Sequence, residues 1–185
     1  GVHDNTEAFQ RALDTAATTG DIVRVPQGRY RFDGTLTVPE YVVLQGVLNG
    51  HPHTDPEHGT VFLIYAGRGN ENGTPFMTMD SNSGVHGCVF YYPEQNDEIP
   101  VPYPWTVQAL RRFNITSCGF VNSYNGIDAG THRNGGNLIR DIRIGAVNKG
   151  LYLDRALHIS RIENVEVIPY PKQRDWAKEH LVGYT

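Results

Sequence analysis

The sequence predicts an all-β chain wound as a right-handed parallel β-helix, with a short capping α-helix at its N-terminal end. Two observations predict it. A pattern of three apolar columns returns along the second half of the chain at nearly constant spacing. A second pattern, built from other residues, returns at the same spacing.

The first pattern is read by alignment. Ile115-Thr116-Ser117-Cys118-Gly119-Phe120 matches Ile139-Arg140-Asp141-Ile142-Arg143-Ile144 after 24 residues, and Ile162-Glu163-Asn164-Val165-Glu166-Val167 after 23 more. An earlier copy, Val85 to Phe90, lies 30 residues before the first. The first column is Val85, Ile115, Ile139 and Ile162. The fourth is Cys88, Cys118, Ile142 and Val165, and the sixth is Phe90, Phe120, Ile144 and Val167. All three are apolar and point inward. The third column, Gly87, Ser117, Asp141 and Asn164, holds residue types that favour tight bends. Each copy is therefore two strand pieces joined by a bend. Stacked coils about 4.8 Å apart would set Arg140 beside Glu163 and Arg143 beside Glu166, both pairs opposite in sign.

The second pattern aligns Gly126-Ile127-Asp128-Ala129 with Gly150-Leu151-Tyr152-Leu153, again 24 apart. Ile127, Leu151, Ala129 and Leu153 point in; Asp128 and Tyr152 point out on adjacent coils. This is a third strand per coil. Three strands in about 24 residues fit a β-helix; a sandwich or jelly roll is the alternative, and three column sets favour the solenoid.

The earlier elements follow in order. Residues 4–19 read as a helix, with Asp4 capping alone or in a capping box with Glu7. Phe9, Ala12, Leu13, Ala16 and Ala17 share one face, and Gly20 ends it. Short strands follow in DIVRVP, GRYRF, TLTVP and YVVLQG, punctuated by glycine and proline. One domain spans 1–185: cap and entry strands over 1–46, coils over 60–170, and a loop or C-terminal extension over 171–185. The chain opens inside a helix cap, so a preceding portion is expected.

Composition narrows the function classes. A net charge of −4 argues against a nucleic-acid binder. No apolar run is long enough to cross a membrane as a helix. The 2 cysteines, Cys88 and Cys118, share one inward column and are expected as buried free thiols. His51, His53 and His58 with Asp55 and Glu57 have metal-ligand composition but loose spacing, so no metal site is expected there. The sequons at Asn72 and Asn114 are expected to be unused.

The N-terminal segment carries a resemblance. Gly1, Asp4, Asn5, Thr6, Ala8, Phe9 and Gln10, then Val25, Pro26, Gly28 and Tyr30, then Leu44 and Gly46, resemble the entry segment of the pectate-lyase-like superfamily of right-handed β-helices. The resemblance covers residues 1–46 closely and the rest only as coils. It implies the fold, and it implies a secreted or periplasmic protein that acts on a polysaccharide or oligosaccharide as a glycoside hydrolase or polysaccharide lyase. Superfamily members also include epimerases and phage tailspikes, so a non-catalytic carbohydrate-binding or adhesion module is the alternative. Catalytic members have more coils than this chain supplies, so it is expected to be part of a larger protein whose further coils or chains complete the solenoid. No catalytic motif of the pectate lyases or polygalacturonases stands in it.

Two regions can carry chemistry. One is the outward strand face with Asp128 and Tyr152, followed by Asp154 and Arg155, with His132 and Arg133 in the loop after Asp128. The other is YYPEQNDEIPVPYPW, residues 91–105, too long for a turn. Its Tyr91, Tyr92, Tyr103 and Trp105 can stack on sugar rings, and Glu94, Asp97 and Glu98 are acid–base candidates. Glycosidic hydrolysis needs two carboxyl groups: Asp128 with Asp154, or either with Glu94 or Glu98. Elimination needs a base and a cation, roles open to His132, Arg133 and Arg155, with calcium on Asp oxygens. Structural roles stand beside these. Asp128 can be an ordinary strand residue, Tyr152 a ladder contact, and Trp105 and Trp176 plain anchors. Asp141 and Asn164 serve the bend.

Overall fold

The computed structural model describes residues 2–48, 56–96 and 99–168. Its elements in chain order are α1 (Thr6–Ala17), β1 (Ile22–Arg24), β2 (Gly28–Phe32), β3 (Leu36–Val38) and β4 (Val43–Gln45). Then come β5 (Thr60–Ile64), β6 (Met77–Met79), β7 (Gly84–His86), β8 (Cys88–Tyr91) and β9 (Trp105–Ala109). The long strands β10 (Asn114–Ala129) and β11 (Leu138–Leu153) and the shorter β12 (Arg161–Ile168) complete the set. Every strand pairing is parallel.

The pairings define three faces of a parallel β-helix. Face A stacks β1, β4, β7 and the first parts of β10, β11 and β12. Face B stacks β2, β5, β8 and the parts of β10, β11 and β12 that follow the bend. Face C stacks β3, β6, β9 and the ends of β10 and β11. The aligned columns are the observed register: Ile115 pairs Ile139, which pairs Ile162, and Cys118 pairs Ile142, which pairs Val165. Asp128 pairs Tyr152.

Bends between faces need left-handed backbone. Gly87, Ser117, Asp141 and Asn164 all have positive φ, so the third column is the bend between faces A and B. Asp141 and Asn164 also bond each other across coils, Asn164 Nδ2 donating to Asp141 Oδ1 at 2.8 Å. A second left-handed column, Gly20, Tyr41, Asn82, Arg112 and Gly136, sits two residues before β1, β4, β7, β10 and β11. Tyr41 and Arg112 are not turn-forming types, which is why the sequence does not announce it.

The core follows the columns. Phe32, Phe62, Phe90 and Phe120 are fully buried, and Phe90 and Phe120 stack with centroids 4.9 Å apart. Phe9 of α1 packs its edge on Phe32 and Phe62, so the helix covers the first coil and hides its edge. The cap differs in detail from a capping box. Asp4 Oδ1 accepts from Thr6 N at 3.0 Å, whereas Glu7 pairs with Arg11. Arg143 and Glu166 form an ion pair at 3.3 Å, but Arg140, beside Glu163 in register, pairs with Asp141 at 3.4 Å. Leu153 is 40% exposed because no strand of the next coil covers this end of face C among the described residues.

Candidate functional site

Face C presents one outward column: Thr37, Thr78, Gln108, Asp128 and Tyr152. Its first four members satisfy one another. The Thr37 and Thr78 hydroxyls lie 3.0 Å apart, and Gln108 Nε2 donates to Asp128 Oδ2 at 2.7 Å. The column then ends on an aromatic ring.

Asp128 is outward in register yet fully buried. Its Oδ1 accepts from the backbone amides of Gly130 and Thr131, each at 2.9 Å. Burial pushes its carboxyl up, but hydrogen bonds from Thr131, Gln108 and Gly130 outweigh that and hold it below the usual carboxylate range. Asp128 therefore stays ionised and fixes the start of the loop after β10. A group held in this state is a poor general acid. Asn134 closes the same loop, donating from Nδ2 to the carbonyls of Ala129, His132 and Asp154.

Tyr152 rests on that loop. A Cβ at Gly130 would meet Tyr152 Cε1 at 2.6 Å, so only glycine lets the ring lie there. The ring stacks with Trp105, two coils away, at 6.3 Å between centroids and 21° between planes. Lys149 Nζ sits 5.8 Å from the Trp105 ring. Trp105, Thr131, Lys149 and Tyr152 line a cavity of about 230 Å³. On one side the Tyr152 hydroxyl donates to Asp154 Oδ2 at 3.3 Å. On the other, Glu71 Oε1 accepts from Lys149 Nζ at 3.5 Å and from Asn148 Nδ2 at 3.0 Å. The result is two parallel aromatic rings flanked by a cation and two carboxylates.

The structure gathers Tyr152, Trp105, Asp154 and Arg155 of the expected residues; Arg155 Nη1 donates to the Thr131 carbonyl at 3.1 Å. His132 and Arg133 are exposed in the adjoining loop. Others are corrected. Tyr92 and Tyr103, expected to stack on sugar, are buried against each other, centroids 4.7 Å apart, with the Tyr92 hydroxyl donating to Thr106 Oγ1 at 3.0 Å. Burial pushes the Tyr103 phenol up to about 12. These rings hold the long insertion onto the coil and leave no face for a ligand. Tyr91 pairs with Leu63 and Val121 on face B, within an outer apolar cluster. Glu94 pairs with Arg68 at 3.3 Å. Asp97, Glu98, Trp176, His51, His53 and Asp55 lie outside the described residues. Among the described residues no three His, Cys, Asp or Glu side chains form a group that could hold a metal ion.

Sequence reasoning missed Lys149, Thr131 and Glu71. Lys149 was within reach, since the 24-residue alignment sets it beside Asn125 and Trp105. Glu71 arrives from a distant loop and left no signal.

Among solved structures, a candidate glycosyl hydrolase from Parabacteroides merdae is similar, with 13% identity, a TM-score of 0.46 and 90% of each chain covered. The surface protein and adhesin PfbA of Streptococcus pneumoniae is similar at 14% identity and a TM-score of 0.47, over 82% of this chain and 39% of that one. No curated protein matches the sequence. The family described as "Rhamnogalacturonase A/epimerase, pectate lyase-like" matches residues 1–96, just over half of the chain. With its parallel coils and helical cap, the chain belongs to this pectate lyase-like family.

Proposed function

We propose that the chain is a carbohydrate-active β-helix that binds a polysaccharide along the outer side of face C and acts on it as a glycoside hydrolase or polysaccharide lyase, or as part of one. The observation that carries this reading is the Trp105–Tyr152 pair above a cavity of about 230 Å³. Parallel rings on a solvent-facing strand suit the apolar faces of sugars, and the flanking polar groups suit their hydroxyls. Asp154 is the acid–base candidate, being exposed and beside the Tyr152 hydroxyl. Glu71 is the second carboxyl on the far side. Asp128 serves as a positioning residue for the loop under Tyr152. A polysaccharide substrate fits a secreted or periplasmic setting.

One observation favours a second reading, a non-catalytic binding or adhesion module. Asp128 is committed to hydrogen bonds and Glu94 to Arg68. Two of the carboxylates expected to catalyse, Asp128 and Glu94, are thus engaged structurally.

The test is incubation with a polysaccharide panel, following new reducing ends, the ultraviolet absorbance of unsaturated uronates, and retention on immobilised polysaccharide. Reducing ends alone mean hydrolysis, and both signals mean elimination. Retention without either favours the binding module. A folded chain that neither retains nor cleaves any member overturns the saccharide reading.

A further inference from the structure

We infer that the corner of the solenoid beside face C is an oxyanion-binding site built by Arg111, Arg112 and Arg133. These residues line a cavity of about 300 Å³ together with His158, Asn134 and Gly135. They come from successive coils: Arg111 and Arg112 follow β9, Arg133 follows β10 and His158 follows β11. Coils stack about 4.8 Å apart, so the corner brings like charges close together.

Elsewhere the solenoid avoids this. Arg143 on β11 meets Glu166 on β12, as cross-strand neighbours should. In the corner no Asp or Glu lines the cavity. Of the carboxylates nearby, Glu40 accepts from Asn82, Asp154 accepts from Tyr152 and from the Arg155 amide, and Asp80, next to Ser81, makes no ion pair with these arginines. Among the described residues none of the three guanidinium groups joins an ion pair. Three unpaired, permanently charged forks about one cavity match a planar or tetrahedral oxyanion, which accepts bidentate hydrogen bonds and relieves their mutual repulsion.

The walls are fixed before any ligand arrives. Arg112 holds a left-handed backbone, φ 54, and its amide donates to the Gly135 carbonyl at 3.1 Å. Gly135 has φ 139, and a Cβ there would meet His158 N at 2.7 Å, so the glycine permits the close approach of the next coil. Asn134 is buried and pins the loop through three carbonyls.

The same loop lines both cavities, Thr131 facing the aromatic one and Arg133 this one. A saccharide crossing it carries an anionic substituent, a uronic carboxylate or a sulfate ester, to the arginines. This source of the anion rests on the proposed function; the affinity for an oxyanion does not.

The test titrates the folded chain with sodium sulfate at constant ionic strength, reading backbone amide shifts by NMR. A uronic-acid oligosaccharide and an uncharged one of equal length follow. Saturable shifts at Arg112, Arg133, Gly135 and His158 are expected, weakened at least fivefold in R111Q/R133Q and less in R133K, which keeps the charge but loses the fork. The acidic oligosaccharide should bind at least tenfold tighter than the neutral one, and the double variant should lose that preference. Sulfate that moves none of these amides, or moves all basic surface residues alike, overturns the site. Saturable sulfate binding with no affinity for either oligosaccharide keeps the site and overturns the saccharide reading. Equal binding of both oligosaccharides without local sulfate shifts does the reverse. Sulfate binding with equal oligosaccharide affinities keeps the site for a free oxyanion and removes the saccharide substituent as its source.

Discussion

The later coils present two outer surfaces that differ in how their polar groups are satisfied. Beyond the bend, on face B, Arg143 meets Glu166, and at the bend Asn164 meets Asp141. Those groups are answered from one strand to the next. On face C strand-to-strand bonding runs only as far as Asp128; beyond it Tyr152 and Lys149 find partners off the sheet, in Asp154 and Glu71, around a cavity beside Trp105. The backbone repeat is the same on both. A repeating scaffold thus shows its working surface by where the strand-to-strand pairing stops.

The comparison can be broken first through what both surfaces share. Phe90→Ala removes a ring that touches Phe62, Phe76 and Phe120. It should cost about 3–5 kcal/mol in denaturant unfolding and impair both surfaces alike. Asp128→Ala comes next. It strands the amides of Gly130 and Thr131 and should cost about 1–3 kcal/mol. Its carboxyl titrates below the ordinary 3.8 in the folded chain. The stability it adds is therefore present above that value and is lost as pH falls through the depressed one. Acid unfolding of the Asp128→Asn protein should accordingly show a shallower decline below about pH 4.

Trp105→Ala and Tyr152→Ala sharpen the contrast. Each should weaken retention on polysaccharide about tenfold, equivalent to about 1.4 kcal/mol, with little change in melting temperature. Gly130→Ala should reproduce the Tyr152 effect by displacing the ring, visible as altered tyrosine chemical shifts. The smallest effect belongs to the paired surface. Arg143→Ala should cost about 0.2–1 kcal/mol, reduced by salt, and leave retention untouched.

Much of the fold was legible because stacking repeats itself in sequence. Val85, Ile115, Ile139 and Ile162 occupy one physical environment, so one residue class recurs there. The left-handed column through Tyr41 and Arg112 was not legible, since neither type signals a bend and loop length alone fixes their position. The site was half legible. Strand alternation set Asp128 and Tyr152 outward, but it cannot report that a turn folds over Asp128. Nor could the composition of residues 91–105 distinguish Trp105, facing solvent, from Tyr92 and Tyr103, which turn inward to anchor the segment. Glu71 and Lys149 meet across 78 residues of chain, a distance over which local pattern carries nothing.

The corners have a consequence of another kind. Val43 and Gly84 are neighbours on face A although 41 residues separate them, whereas Leu138 and Arg161 are neighbours separated by 23. Chain length between strands is thus a free variable, while the stacking of the strands is not. Loop closure grows costlier only slowly with length. New segments can enter at a corner without the fold being solved again, so binding specificity in such a solenoid can change by insertion, one coil at a time.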